Sequence, residues 1–173
     1  MNHHKAIVHL DRLSRNYKIL SNSVNGKRLM AVVKANAYGH GAIECSKRLE
    51  DQGCDFFSVF TVEEAKELRN AGLKSDILIL SKLEKESIQT AIDNDLIVNI
   101  SSINDLNSII SFLEKNGLSP RFHMKIETGM NRLGFDLSDI SLAIGKLLDY
   151  KNLNCEGIYT HYATSDEGDL SYA

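Results

Sequence analysis

Three polar residues in the sequence stand directly behind apolar runs. Lys34 follows LMAVV, Arg132 lies in KIETGMNRLGF, and His161 ends GIYTH. A lysine amine can bond to a phosphorylated aldehyde cofactor, and the planar fork of an arginine can hold a carboxylate through two hydrogen bonds. If the apolar runs are strands that end on one rim, these three side chains could converge on a single pocket.

Lys34 is followed by small residues and then by a turn with two glycines. The run Ala35-Asn36-Ala37 leaves space beside the lysine, and Tyr38-Gly39-His40-Gly41 leads into a helical pattern. Free backbone N–H groups and the helix dipole favour an anion such as a phosphate at a helix start. The sequence therefore makes Lys34 a candidate cofactor anchor, although a strand-end lysine more often reaches its amine into solvent.

The other candidate residues have equally ordinary interpretations. Arg132 could be a solvated loop arginine, and His161 could be a core histidine with one satisfied ring nitrogen. His3-His4 has no partner cluster that would predict a metal site, so no metal is expected. Asp166-Glu167 is best interpreted as solvated charge near a helix start.

The candidates are positioned by short apolar runs that alternate with amphipathic segments. The predicted strands are 29–33, 56–60, 76–80, 96–100, 121–127 and 155–161, and the predicted helices are 41–53, 62–72, 82–94, 103–117 and 137–150. Thr61 and Glu64 form a capping-box pattern at the start of the second of these helices. Such alternation predicts an α/β fold with a parallel sheet, either doubly wound or a (β/α) barrel. In both folds catalytic groups lie at the C-terminal ends of strands.

Composition excludes several classes of protein. The 173 residues are 43% hydrophobic and 25% charged, with no apolar tract long enough for a bilayer span. A net charge of −3 provides no basic field for nucleic acid. Cys45, Cys54 and Cys155 are far apart, which favours reduced thiols. We therefore expect a cytoplasmic protein without a nucleic-acid or membrane partner.

Three segments together resemble one enzyme family. AVVKANAYGHG, KIETGMNRLGF and GIYTHYATSDE are similar, in this order, to the N-terminal barrel of the alanine racemases. The resemblance implies a parallel (β/α) barrel of TIM type with pyridoxal 5'-phosphate as cofactor and alanine as substrate. It also implies a homodimer in the full-length family and a role in supplying D-alanine for peptidoglycan. Residues 1–173 are expected to form a single domain, the N-terminal part of that barrel.

The resemblance assigns roles to individual residues. Lys34 is expected to bond the cofactor and to move a proton on one face of the substrate. Tyr38 and His161 are expected to contact the cofactor, at its phosphate and its pyridine ring. Arg132 is expected near the substrate carboxylate, with Met130 lining the pocket. Lys125 matches a lysine that is carbamylated in some relatives and orients the arginine; an inward lysine paired with a carboxylate is the alternative.

The length suggests that the chain holds only part of such an enzyme. A complete barrel needs about 250 residues, so we expect about six of eight βα units and no C-terminal β-domain. The second base of the family comes from that domain of the partner subunit, and we therefore expect the isolated chain to be inactive. A pyridoxal-phosphate-binding barrel of cofactor homeostasis, a racemase of serine or lysine, and a non-catalytic α/β domain remain alternatives.

Overall fold

The computed structural model describes residues 5–165, which form two compact units. The first unit ends at Leu80 and the second begins at Ser81. His3, His4, Asp166 and Glu167, which were interpreted from the sequence, lie outside the described residues. The expectation of a single domain over residues 1–173 stays a prediction.

The first unit contains three parallel strands and four helical segments. Its elements are α1 (Leu10–Ser23), β1 (Ala31–Val32), α2 (Lys34–Gly39), α3 (Ala42–Asp51), β2 (Phe56–Val59), α4 (Val62–Asn70) and β3 (Asp76–Ile79). β1 and β3 both pair with β2, with Ala31 opposite Phe57 and Phe57 opposite Ile77. All the pairings are parallel, as the alternating pattern predicts.

The second unit repeats this arrangement with three further strands. Its elements are α5 (Ile88–Asp93), β4 (Ile97–Ile100), α6 (Ile103–Asn116), β5 (Arg121–Lys125), α7 (Ile140–Asp149) and β6 (Asn154–Tyr159), with 3-10 turns at Lys85–Ser87 and Leu137–Asp139. β5 pairs in parallel with both β4 and β6, and its register against β6 shifts between Phe122 and His123.

Burial of the strands explains why the sequence shows continuous apolar runs instead of alternation. All four residues of β4 are buried, and the last three of both β2 and β3 are buried. Strands of a parallel sheet are covered on both faces, so neither face needs polar residues. β2, β3 and β4 are therefore buried apolar strands, whereas β6 alternates between exposed and half-buried residues.

Two features of the helices bear on the sequence predictions. The capping box at Thr61 and Glu64 is confirmed, with the amide of Glu64 donating to the Thr61 hydroxyl at 3.2 Å. Helix α1 has no counterpart among the predicted elements, although Leu10, Leu13, Tyr17 and Leu20 follow the spacing of one helical face. No helix among residues 5–165 is long and apolar enough to cross a bilayer.

Candidate active site

Lys34 lies where the sequence predicts it, directly after the first strand. The amide of Val33 donates to the carbonyl of Ser58 at 2.8 Å, which continues the pairing with β2 up to the lysine. Lys34 is half-buried, and its Nζ is 6.0 Å from the centre of the Phe60 ring. Within residues 5–165 no carboxylate is within salt-bridge distance of this amine. The backbone just before Lys34 is therefore held by the sheet, and no acidic side chain of residues 5–165 is paired with its amine.

The segment Lys34–Gly39, here called the lysine turn, has an unusual backbone. Ala35, Asn36, Ala37 and Tyr38 all have φ between 51° and 54° and ψ between 37° and 50°. This is the left-handed helical region, which costs an L-residue about 1–2 kcal/mol because Cβ approaches the following carbonyl oxygen. The sequence does not predict it, since Ala and Tyr have no preference for this region.

Hydrogen bonds on both sides hold the lysine turn in this conformation. The amide of Ala37 donates to the carbonyl of Val33 at 2.9 Å, and the amide of Gly41 donates to the carbonyl of Asn36 at 3.0 Å. The side-chain oxygen of Asn36 accepts from the amide of Ala42 at 2.8 Å. The first amide of α3 is therefore occupied by Asn36 and is not one of the free groups that would bind an anion at this helix start.

Tyr38 and Gly39 border open space at the end of the lysine turn. Tyr38 is 59% exposed, and a Cβ built on Gly39 would meet no atom within 4 Å. The amine of Lys34 and the hydroxyl of Tyr38 are donors that suit a phosphorylated aldehyde, and the space beside Gly39 leaves room for it. The residues of the lysine turn therefore fit pyridoxal 5'-phosphate chemically.

Arg132 lies in a loop that returns to the strand from which it starts. We call residues 127–134 the arginine loop. The amide of Phe135 donates to the carbonyl of Lys125 at 2.8 Å, and the amide of Glu127 donates to the carbonyl of Phe135 at 3.0 Å. Phe135 is 1% exposed, so the loop is closed by a buried ring.

Gly134 is the glycine of the MNRLG run, and its surroundings explain why a glycine is needed there. Its φ is +148°, and a Cβ at this position would overlap the amide nitrogen of Glu127 and lie 2.7 Å from the carbonyl carbon of Ile126. Both neighbours are backbone atoms and cannot move aside without opening the loop. Only glycine allows this close approach of the two backbone segments.

Glu127 organises the arginine loop and was missed by the sequence predictions. Its carboxylate accepts from the amides of Gly129 and Arg132, the latter at 3.3 Å. Hydrogen bonds from the backbone amides of the loop, first that of Asn131 and then that of Gly129, lower the pKa of Glu127 below the ordinary glutamate value. The Arg132 residue itself is exposed, and Met130 is half-buried.

Lys125 is the buried last residue of β5. It is 6% exposed, and its Nζ is 5.9 Å from the centre of the Tyr159 ring. The Tyr159 hydroxyl donates to the side-chain oxygen of Asn99 at 2.9 Å, and burial raises the pKa of Tyr159. Asn99 is 1% exposed. Sequence reasoning missed Tyr159 and Asn99, whose only signal was a polar group inside a predicted strand.

His161 follows β6 and is exposed, which contradicts the interpretation as a core histidine. The hydroxyl of Thr160 donates to the carbonyl of Ile126 at 2.9 Å and is 2.6 Å from the hydroxyl of Thr128. The segment that carries His161 is therefore tied to the start of the arginine loop.

The six predicted site residues fall into two groups. Lys34 and Tyr38 share the lysine turn of the first unit. The other four lie in the second unit, where the two threonines connect the segment of His161 with the arginine loop: Lys125, Met130, Arg132 and His161. Each group is described within its own unit.

Comparison with known proteins adds a family to this geometry. Residues 8–173 match the family model described as "Alanine racemase, N-terminal domain". The alanine racemase of Methanococcus maripaludis is 40% identical over 169 residues, which are 96% of this chain and 45% of that protein. The chain thus spans less than half the length of such relatives.

Solved structures agree with the sequence relatives. Alanine racemase from E. faecalis superposes with a TM-score of 0.87 at 36% identity, covering 95% of this chain and 45% of that one. A histidine racemase from Leuconostoc mesenteroides subsp. sake also gives 0.87, at 26% identity over 94% of this chain and 44% of that one. This likeness confirms the predicted fold class, a parallel (β/α) barrel of TIM type, over the doubly wound alternative.

Proposed function

The chain belongs to the family of alanine racemase N-terminal domains, and we propose that it is the cofactor-binding part of a pyridoxal-phosphate-dependent racemase of alanine. The observation that carries the proposal is the amine of Lys34, which stands at the end of β1 with no carboxylate of residues 5–165 paired to it. Such an amine has the nucleophile's position at the C-terminal rim of a barrel.

Each candidate residue would have its own role in such a site. Lys34 would hold the cofactor through Nζ and would move a proton at the α-carbon of the substrate. Tyr38 would donate its hydroxyl to the phosphate, and His161 would support the ring. Arg132 would hold the substrate carboxylate, with Met130 lining the pocket. When bound, pyridoxal 5'-phosphate supplies the electron sink that makes the α-proton acidic enough to remove.

Lys125 would act through the arginine and not on the substrate. It is buried at the end of β5, beside the loop whose backbone carries Arg132. Carbamylation, in which the deprotonated amine adds carbon dioxide and releases a proton to solvent, would turn its cation into an anion that can pair with a guanidinium. We propose this modification for Lys125 on the basis of its burial and its place in the sequence.

The wider setting follows from the same proposal. We propose that the protein acts in the cytoplasm, works as a homodimer and supplies D-alanine for peptidoglycan. We also propose that residues 1–173 form the N-terminal part of one barrel domain. Covalent labelling tests the core of the proposal, because it reports on Lys34 itself.

In the labelling experiment the purified chain is incubated with pyridoxal 5'-phosphate, reduced with borohydride and digested. We expect the label on the peptide that contains Lys34, because this residue is half-buried and no carboxylate of residues 5–165 is paired with its amine. Lys34→Ala should remove that label, and Lys66→Ala, at an exposed lysine of α4, should keep it. A label spread over surface lysines in the unaltered chain would overturn the assignment.

Substrate choice is tested with a chimera, because the matched relatives extend well beyond this chain. Residues 8–173, which match the family model, replace the corresponding segment of the Methanococcus maripaludis enzyme, and racemisation of L-alanine, L-serine and L-histidine is compared. We expect alanine to be the preferred substrate. Faster turnover of another amino acid would assign that specificity instead.

The histidine racemase structure gives one second candidate. Its TM-score equals that of the E. faecalis alanine racemase, although its sequence identity is lower. A shared barrel therefore does not by itself fix the side chain of the substrate. The comparison of L-alanine with L-histidine in the chimera separates the two candidates.

A further inference from the structure

Glu64 makes contacts that reach beyond its own helix. Its Oε1 accepts a hydrogen bond from the amide of Ala35 at 2.7 Å. Its Oε2 accepts from the amides of Phe60 and Thr61 at 2.7 and 3.2 Å. One carboxylate therefore joins the residue after Lys34 to the connection between β2 and α4, across 29 positions of sequence.

The contact with the lysine turn is not part of helix capping. A capping box needs the exchange between Thr61 and Glu64, in which Oε2 accepts from the amide of Thr61. This exchange would be complete without Oε1, which is directed to Ala35. Hydrogen bonds to a carboxylate are stronger than those between neutral groups. Glu64 thus has a second function, performed by a different oxygen atom.

The lysine turn needs such an external hold at its first left-handed residue. Ala35 has φ 51° and ψ 50°, and a strained backbone persists only where its surroundings fix it. Further along the turn, Ala37 and Asn36 are held by contacts with Val33 and Ala42. The amide of Ala35, at the start of the turn, is held by Glu64.

The same carboxylate fixes both partners of the contact made by the Lys34 amine. Nζ of Lys34 lies 6.0 Å from the centre of the Phe60 ring, within the range of a cation–π contact. The backbone of Phe60 is bonded to Oε2, and the residue next to Lys34 is bonded to Oε1. Movement of the carboxylate would therefore shift the amine and the ring relative to each other.

We propose that Glu64 is a positioning residue for Lys34, which sets the direction of the amine by clamping the lysine turn to the backbone of Phe60. The proposal rests on the proposed function of Lys34 as the cofactor anchor. Both oxygens of Glu64 are bonded to backbone amides, so Glu64 acts through Lys34 and has no contact with reacting atoms. The positioning role can be tested separately from helix stability, because the hydroxyl of Thr61 contributes only to the helix cap.

The test uses the whole chain and three variants. Glu64→Gln keeps the side-chain shape but leaves one acceptor oxygen beside an NH2 group, so it can accept from Ala35 or from Phe60 and Thr61, but no longer from both sides. Thr61→Ala removes the acceptor of the cap and leaves both oxygens of Glu64 in place. Glu63→Gln, at an exposed position of the same helical turn, is the matched control.

Two measurements are made on each variant. The first is hydrogen exchange of the amides of residues 34–41 and of Phe60, which needs no cofactor. The second is the rate at which pyridoxal 5'-phosphate is captured on Lys34 and trapped by borohydride. For Glu64→Gln we expect faster exchange at Ala35 or at Phe60, whichever amide loses its acceptor, and capture slowed by about tenfold, the factor expected when a hydrogen bond to a charged group is lost. Thr61→Ala should lower the melting temperature without either change, and Glu63→Gln should change nothing.

Distinct results separate the possible failures. If Thr61→Ala and Glu64→Gln slow capture equally, Glu64 is only a helix cap and the proposal is wrong. If the unaltered chain is never labelled at Lys34, the proposed function fails, and unchanged exchange at both Ala35 and Phe60 in Glu64→Gln would then overturn the clamp as well. Should Glu64→Gln not fold, Glu64→Asp keeps the charge but is too short to reach Ala35 and the amides of Phe60 and Thr61 at once. Loss of protection at Ala35 or Phe60 is expected there too, and unchanged exchange at both would refute the clamp.

Discussion

The lysine turn and the arginine loop are each held by a glutamate carboxylate, but the glutamate is remote in sequence in one case and local in the other. Each follows a strand and carries one cationic side chain, and in each a glutamate carboxylate accepts from backbone amides. In the lysine turn the carboxylate is Glu64, which belongs to another βα unit. In the arginine loop it is Glu127, which begins the loop itself.

The two segments also differ in backbone strain. Four consecutive non-glycine residues of the lysine turn are left-handed, whereas the arginine loop places Gly134 at its closest approach of backbone and has Asn131 as its left-handed residue. Glycine and asparagine tolerate such geometry best. The arginine loop is therefore shaped largely by its own residue types, although Thr160 also contacts it, whereas the first left-handed residue of the lysine turn is held by the remote Glu64. Local sequence should control the first and tertiary contacts the second.

The largest effect is expected at the closest approach in the arginine loop. In Gly134→Ala the new Cβ would lie 2.7 Å from the carbonyl carbon of Ile126, at a φ of +148° that alanine resists. The loop must open, which should lower the free energy of unfolding by more than about 3 kcal/mol, as for other substitutions that overpack a fixed backbone. Urea denaturation measures this change.

Gly145→Ala is the matched control for this variant. Gly145 lies inside α7, and a Cβ there would meet no atom within 4 Å. Alanine in a helix interior is favoured over glycine by about 0.5–1 kcal/mol, so this variant should be more stable than the unaltered chain. A loss of similar size in both variants would show that Gly134 has no special role in the loop.

An intermediate effect is expected for Ala35→Gly in the lysine turn. Glycine enters the left-handed region without the cost of about 1–2 kcal/mol that alanine has there, and it loses part of this gain through its freer unfolded chain. We expect the free energy of unfolding to rise by about 0.5–1 kcal/mol in urea denaturation. Ser111→Gly, at an exposed position of the right-handed helix α6, should instead lower it by a few tenths of a kcal/mol. A decrease in Ala35→Gly would mean that the lysine turn stores no strain.

This contrast explains which parts of the molecule the sequence predicts. Continuous apolar runs locate β2, β3 and β4 because these strands are buried along most of their length. The capping box is predicted because Thr61 and Glu64 are close in the chain. The left-handed lysine turn is not predicted, since the residue that holds Ala35 is 29 positions away.

The residues of the candidate site also differ in how far the sequence predicts them. Lys34 and Arg132 are found because they follow predicted strands, whereas Lys125 was named by the resemblance to a family. Glu127, Asn99 and Tyr159 were missed, because a carboxylate after a strand or a polar group inside one resembles ordinary surface charge until the fold shows its partners. The family resemblance identified residues that are expected to contact the cofactor or the substrate. The structure adds the residues that hold those segments in place.

The smallest expected effect is a pH dependence confined to the arginine loop. Hydrogen bonds from the loop amides lower the pKa of Glu127 in the folded chain. A carboxyl group with a lowered folded pKa stabilises the loop above its unfolded pKa, about 4.3, and this contribution is lost as pH falls through the folded pKa. We expect the amide shift of Gly129 in NMR spectra to titrate with a midpoint below the ordinary glutamate value.

Glu127→Gln gives the counterpart of this titration. Without an ionisable group at position 127 the Gly129 shift should stay constant through the same acidic range, and the amides of the loop should exchange faster at neutral pH. The lysine turn should be unaffected in this variant, because its clamp is Glu64. A titration of Gly129 that survives in Glu127→Gln would mean that another carboxylate holds the arginine loop, and the contrast between a locally held loop and a remotely held turn would then be wrong.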